Sequence, residues 1–179
     1  MKRIYCDISA TTPLDPQVVI FLNELNNNIY GNPSSIHREG QAAKAVVEKS
    51  RRQLAKSLNS SPEEIIFTSN GSESNNIVLK CALISGDHLI TSSYEHPAII
   101  KILPYLESQN IEVTLIKPDK DGIIQPLRVQ QAIKKNTRLI SIMWVNNELG
   151  TINPIYDIGL IAKEMNILFH SDAVQAFGK

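Results

Sequence analysis

Short runs of apolar, often β-branched residues alternate along this chain with longer stretches in which apolar residues recur at helical spacing. Five runs predict β-strands, at residues 64–69, 88–92, 112–116, 138–144 and 167–172. The stretches between them predict helices at about 73–84, 97–109, 126–135 and 155–165, and an earlier helix is predicted at about 40–58. Because strands alternate with helices and read as continuous apolar runs, we expect an α/β fold with a mostly parallel sheet covered by helices on both faces.

Composition narrows the class of partner. The formal net charge is zero, with 20% charged and 42% hydrophobic residues, which argues against direct binding of nucleic acid. No apolar run is long enough for a membrane span, and the N-terminus lacks the apolar core of a secretory signal. Cys6 and Cys81 stand alone in the sequence, which predicts a reduced, cytoplasmic protein, and we expect both to be small buried residues.

Polar residues follow the predicted strands, where ligands bind in parallel sheets. Gly71 and Ser72 lie in a turn that leads into a helix, so their amides and the helix dipole could bind phosphate, although simple N-capping explains the same pattern. His96 follows the next strand and could act as an acid/base or stack on a planar ligand, whereas the alternative is a surface histidine. His37, His88 and His170 have no partners at metal-ligand spacing, so no metal site is expected.

A carboxylate and a pair of amides complete this set. Asn146 and Asn147 follow the fourth predicted strand, where they suit a ligand oxygen or simply form a polar turn. Asp172 ends the last strand, and a carboxylate there is costly unless a cation or hydrogen-bond donors meet it. Pyridoxal 5′-phosphate (PLP) would use all these features. Its phosphate would bind at Gly71 and Ser72, its ring would lie against His96, and its pyridinium nitrogen would pair with Asp172.

Six segments of the chain also carry a family resemblance. They are YCDISATTPLDP, YGNPSSIHREGQAA, EIIFTSNGSESNN, ITSSYEHPAI, SIMWVNNELGTINPI and HSDAVQAFGK. In this order and spacing they resemble the N-terminal part of the cysteine desulfurases, enzymes related to class V aminotransferases with PLP fold type I. The resemblance implies the N-terminal portion of a large PLP-binding domain. Residues 1–60 would form an N-terminal segment with a helix, and residues 61–179 an incomplete PLP-binding domain.

The resemblance also implies roles for single residues. Gly71 and Ser72 stand where the family binds the cofactor phosphate, although Ala-Thr is the commoner pair there. His96 matches a histidine that stacks on the ring and assists proton transfer, and Asn147 matches an amide beside the cofactor. Asp172 matches the partner of the pyridinium nitrogen. Gln175 matches a side chain near the phenolic oxygen.

By the same resemblance, the substrate is L-cysteine and the products are alanine and a persulfide. The sulfur would pass to an iron–sulfur scaffold or a tRNA-thiolation protein, and the full-length enzyme would be a homodimer. The lysine that binds the cofactor aldehyde, the cysteine that accepts sulfur and the arginine that holds the substrate carboxylate lie beyond residue 179 in the family. We therefore expect this chain to be inactive alone. A selenocysteine lyase, a class V aminotransferase and a non-catalytic fragment are the alternatives.

Overall fold

A computed structural model describes residues 3–178 and divides the chain into two compact units, with the boundary between Phe67 and Thr68. The first unit contains helices α1 (Pro16–Asn28) and α2 (Arg38–Leu58) and a short 3₁₀ helix (Pro62–Glu64). Helix α2 begins after His37, whose ring accepts the backbone amide of Gly40, and ends at a left-handed Asn59.

The second unit is a four-stranded parallel sheet with helices on both faces, which confirms the predicted fold class. Its strands are β1 (His88–Ser92), β2 (Glu112–Ile116), β3 (Thr137–Ser141) and β4 (Leu168–His170), arranged in the order β2-β1-β3-β4. Its helices are α3 (Gly71–Ala82), α4 (Pro97–Ile100), α5 (Leu103–Ser108), α6 (Pro126–Gln131) and α7 (Ile155–Glu164).

The core of this unit has two halves because neighbouring residues on a strand point to opposite faces of the sheet. Leu89 of β1 and Leu139 of β3 pack with residues of α3, α4 and α5 on one face. Their neighbours Ile90 and Ile140 pack with residues of α6 and α7 on the other. All four of these strand residues are at most 1% exposed, so the two central strands are covered on both faces, as their continuous apolar runs predict.

The order in which strands are added to the sheet reverses between β1 and β3. From β1 the chain crosses to β2 on one side, and from β2 it returns past β1 to β3 on the other side. In open parallel sheets, ligands bind at such a point, beyond the carboxyl ends of the strands. The residues just after β1 and β3 are therefore the ones that the topology favours for a site.

His88 lies at the opposite end of β1 and joins three strands. Its Nδ1 lies 2.8 Å from the hydroxyl of Thr137 on β3, and its Nε2 lies 2.8 Å from the hydroxyl of Thr114 on β2. Burial lowers the pKa of this histidine, and the nearby Lys134 lowers it further. These contacts support the structural reading of His88.

Several predictions from the pattern are wrong in detail. Residues 64–69 do not form a strand, since no strand in the described part of the chain pairs with them and Ile66 is 73% exposed. The predicted helix at 97–109 is two short helices, because Pro104 has no amide hydrogen to continue the first one. Helix α1 was not predicted, because its apolar residues at 18–22 are consecutive rather than at helical spacing; none of the helix residues is buried.

The expectation that both cysteines are buried is also wrong. Cys6 and Cys81 are both free and exposed. Helix α3 buries Asn75 and Leu79, one turn apart, and Cys81 lies away from that face. Within residues 3–178, no helix is both long enough and apolar enough to cross a membrane.

Candidate active site

The N-terminus of helix α3 carries the two residues predicted to bind phosphate. Asn70 caps the helix by accepting the amide of Glu73 at 2.9 Å, and the Glu73 carboxylate accepts the amide and hydroxyl of Ser69. No acceptor among the described residues takes the amides of Gly71 and Ser72. With the helix dipole, these two amides provide a position for an anion.

Gly71 lets this helix end approach the turn that follows β4. A Cβ atom built on Gly71 would lie 2.9 Å from Cγ2 of Val174, closer than side chains pack. A larger residue would therefore require the exposed Val174 side chain or the helix end to shift. The turn also carries Gln175, which is half-buried.

Asp172 lies just after β4 and is 9% exposed. Its Oδ2 accepts the side-chain amide of Asn75 at 2.8 Å, and its Oδ1 accepts the backbone amide of Val174 at 3.0 Å. Its backbone carbonyl accepts the amide of Trp144 at 3.0 Å, which ties the turn to the end of β3. None of the salt bridges among the described residues involves Asp172. The carboxylate is thus buried with hydrogen-bond donors but without a cation.

His96 lies at the N-cap of α4, where its Nδ1 accepts the backbone amide of Ala98 at 3.1 Å. In the neutral ring, the proton is therefore on Nε2. The imidazole is exposed and shares an open cavity of about 440 Å³ with Ser72. Asn76, Lys80, Lys101 and Tyr105 are among the other lining residues, whereas Asp172 does not line this cavity.

The two adjacent asparagines have different surroundings. Asn146 is 3% exposed, donates to the carbonyl of Tyr94 and accepts the amides of Glu148 and Leu149, so it holds the loop in shape. Asn147 is half-buried, and its side-chain amide donates to the Glu148 carboxylate. Of the pair, Asn147 is the one that can turn to a ligand without loosening the loop.

Asn153 closes the same loop, and its removal should destabilise the second unit. Its Oδ1 accepts the Tyr94 hydroxyl and the Ile124 amide, and its Nδ2 donates to the Met143 carbonyl, all within 2.9 Å. Because the Ile124 amide and the Met143 carbonyl would lose their partner, Asn153→Ala should lower the free energy of unfolding by about 3 kcal/mol. Urea unfolding would measure this. Asn147→Ala, the control, should change it by less than about 1 kcal/mol; equal losses would contradict the assignment.

Two buried polar residues of this region were missed in the sequence. Asn75 lies one turn after Gly71 on α3, and this spacing could have shown that both face the same side. Glu95 precedes His96 and is 5% exposed. Burial, with the nearby negative charge of Asp172, raises the pKa of Glu95 to about 7.

The structure brings most of the predicted residues to one edge of the sheet. Contacts among Asn75, Trp144 and Asp172 join the start of α3 to the ends of β3 and β4. Contacts from Met143 and Asn146 join the end of β3 to the turn before His96. The edge therefore offers an anion position, a buried carboxylate and an imidazole on neighbouring loops.

Comparisons with known proteins identify the family of the chain. The profile of the family described as Aminotransferase class-V matches residues 4–179. The chain is 43% identical over 183 residues to a protein from Dictyoglomus turgidum named cysteine desulfurase IscS, covering 99% of this chain and 46% of that protein. A solved structure titled NIFS-like protein matches with a TM-score of 0.93 at 36% identity, covering 99% of this chain and 50% of that one. A structure titled SspA in complex with cysteine matches with a TM-score of 0.90 at 40% identity, covering 97% and 51%. The chain thus spans about half the length of the proteins that it matches.

Proposed function

The chain belongs to the class V aminotransferase family, and from this we propose that it forms the cofactor-binding part of a PLP-dependent cysteine desulfurase. Its similarity to proteins named cysteine desulfurase, at 43–45% identity over nearly the whole chain, supports the choice within the family. The environment of Asp172 supports the assignment of this family's cofactor to the site.

The observation that carries the proposal is the buried carboxylate of Asp172. Two hydrogen bonds hold its oxygens, yet no cationic side chain among the described residues balances its charge. Burying an uncompensated carboxylate is costly, so the arrangement suits a cationic ligand group of modest size. A protonated ring nitrogen is such a group. The free amides at Gly71 and Ser72 supply a complementary position for the phosphate of PLP.

When bound, PLP supplies an electron sink for the bonds at the substrate α-carbon. In our proposal, Asp172 keeps the ring nitrogen protonated, and Asn75 holds the carboxylate in place through its 2.8 Å hydrogen bond. The amides of Gly71 and Ser72 hold the phosphate. Asn147 and Gln175 would contact the ring oxygen. His96 would lie against the ring and transfer a proton through Nε2 to or from the substrate.

The substrate and partners are proposed on the same basis. L-Cysteine is the substrate, giving alanine and a persulfide, and a similar structure is titled as a complex with cysteine. The sulfur passes to an iron–sulfur scaffold or a tRNA-thiolation protein, and the whole enzyme is a homodimer. The cytoplasmic location stays a prediction from the sequence.

Binding and turnover test the proposal separately. The chain is titrated with pyridoxamine 5′-phosphate, which needs no lysine to bind, and its fluorescence is followed. Saturable binding that free phosphate displaces would support the cofactor site. This chain combined with the remaining half of a cysteine desulfurase, called the intact enzyme below, is then given L-cysteine and alanine is measured. Absence of saturable binding, or binding without release of alanine by the intact enzyme, would contradict the proposed function.

Replacing His96 should affect turnover more than cofactor binding. In the intact enzyme, His96→Ala is expected to lower the rate of alanine formation about a hundredfold, because the loss of one acid/base group commonly costs that much. Affinity for pyridoxamine 5′-phosphate should fall by much less. His37→Ala is a matched control, since His37 is also an exposed helix-capping histidine. If the rate per bound cofactor were unchanged in His96→Ala, a role in proton transfer would be wrong.

A further inference from the structure

Glu95 is a buried titratable residue that the proposed chemistry does not use. It lies in the turn between β1 and α4, directly before His96, and is 5% exposed. A carboxyl group is seldom buried to this extent without a specific partner or purpose. The contacts of the Glu95 carboxyl group indicate why it is buried.

The Glu95 carboxyl group ties the turn to two neighbouring strands. Its Oε1 accepts the hydroxyl of Ser92, the last residue of β1, at 2.5 Å. The same oxygen accepts the backbone amide of Met143, just beyond β3, at 3.0 Å. Its Oε2 is buried and has no hydrogen-bond partner among the described residues. One oxygen thus makes both connections, at the point between β1 and β3 where the strand order reverses.

The backbone of the turn has further support from the same loop. The Asn146 side chain donates to the carbonyl of Tyr94, one residue before Glu95. The side chain of His96, in contrast, is held by its own capping bond to Ala98 and faces an open cavity. The position of the imidazole therefore depends on where the turn is fixed.

We propose that Glu95 is a positioning residue that fixes the turn carrying His96 to the carboxyl ends of β1 and β3. The purpose of this restraint, which is to set where the imidazole meets a bound planar ring, rests on the proposed function. The restraint itself depends only on the contacts of Oε1. It does not require a ligand.

Two substitutions distinguish the hydrogen bonds of Glu95 from its negative charge. A glutamine at position 95 keeps an oxygen that can accept both hydrogen bonds, whereas an alanine removes both. If Glu95 acts as a restraint, Glu95→Gln should resemble the unchanged protein and Glu95→Ala should not. Ser92→Ala, which removes one of the two donors, should give an intermediate result and serves if Glu95→Ala does not fold. Glu107→Ala is the control, because Glu107 is exposed on α5.

Amide hydrogen exchange of the full chain measures the restraint without a ligand. In Glu95→Ala, exchange in residues 93–98 is expected to be about tenfold faster, with little change in the four strands. At about pH 4.5, where Glu95 makes no pH-dependent difference to stability, Glu95→Gln and Glu107→Ala should exchange like the unchanged protein. Equal acceleration in Glu95→Gln and Glu95→Ala, no acceleration in either, or equal acceleration throughout the strands would overturn the proposal.

Titration with pyridoxamine 5′-phosphate then measures the consequence for a ligand. Glu95→Ala should weaken binding by about tenfold, and Glu95→Gln should restore it to within about twofold. If the unchanged protein does not bind this probe, the proposed function fails, while the exchange data still decide whether Glu95 holds the turn. If it binds and Glu95→Ala binds equally well, the positioning role is overturned and the proposed function stands.

Discussion

Replacing Asp172 by asparagine is expected to weaken the binding of pyridoxamine 5′-phosphate by about a hundredfold. The substitution keeps the size of the side chain and one oxygen that can accept the Asn75 amide, but it removes the negative charge and the oxygen that accepts the Val174 amide. A buried hydrogen bond to a charged group contributes about 3 kcal/mol at most, which corresponds to about two powers of ten in affinity. Fluorescence titration of the two proteins would measure the difference.

Asparagine is preferable to alanine at this position because alanine would leave the buried amide of Asn75 without its acceptor. A loss of folding could then be mistaken for a loss of binding. Asp157→Asn, on the exposed side of α7, is a suitable control and should bind normally. Normal binding by Asp172→Asn would remove the main support for the proposed function.

The stability of the chain is expected to depend on pH through Glu95. Its pKa is about 7 in the folded state against 4.5 for an exposed glutamate, because burial disfavours the charged form. Below about pH 4.5, this carboxyl group is neutral in both states and does not favour unfolding. As the pH rises from 4.5 to 7, the unfolded chain gains the charge first, so the free energy of unfolding falls. The difference between the two pKa values corresponds to a fall of about 3 kcal/mol in the free energy of unfolding.

Urea unfolding of the original protein and of Glu95→Gln across pH 4.5–8 would measure this effect. The glutamine variant should lack this fall, so the original protein should lose about 3 kcal/mol relative to it as the pH rises. Burial lowers the pKa of His88 and His170, but both histidines are present in both proteins and their contributions cancel in the comparison. Parallel curves for the two proteins would contradict a raised pKa for Glu95.

The sequence predicts the elements of the second unit well because their pattern follows from burial. Leu89, Ile90, Leu139 and Ile140 form continuous apolar runs, and these are the residues that the sheet covers on both faces. The segment at 64–69 has the same composition but no partner strand in the described chain. Composition reports the tendency to be extended, whereas a strand also needs a neighbour for its backbone groups.

The site is predictable only in part, for a related reason. Residues such as Gly71, His96 and Asp172 follow the strands, so the topology of a parallel sheet brings them to one edge. The spacing of Asn75 from Gly71 indicates its side of α3, but both Asn75 and Glu95 are polar, and nothing local indicates that either is buried. Their burial depends on Asp172 and Met143, which are distant in sequence. The sequence likewise shows two asparagines at 146 and 147, but only the contacts of the folded loop distinguish the structural one.

The hydrogen bond between Asn75 and Asp172 joins residues that are 97 positions apart, which has a consequence for how the chain folds. Parallel sheets have a high contact order, and the entropy of closing long loops must be overcome before distant contacts contribute. Because this contact closes a loop of 97 residues, we expect it to form later in folding than contacts between residues nearer in sequence. A ligand that binds at Asp172 would then stabilise the finished sheet by mass action rather than direct the early stages of its folding.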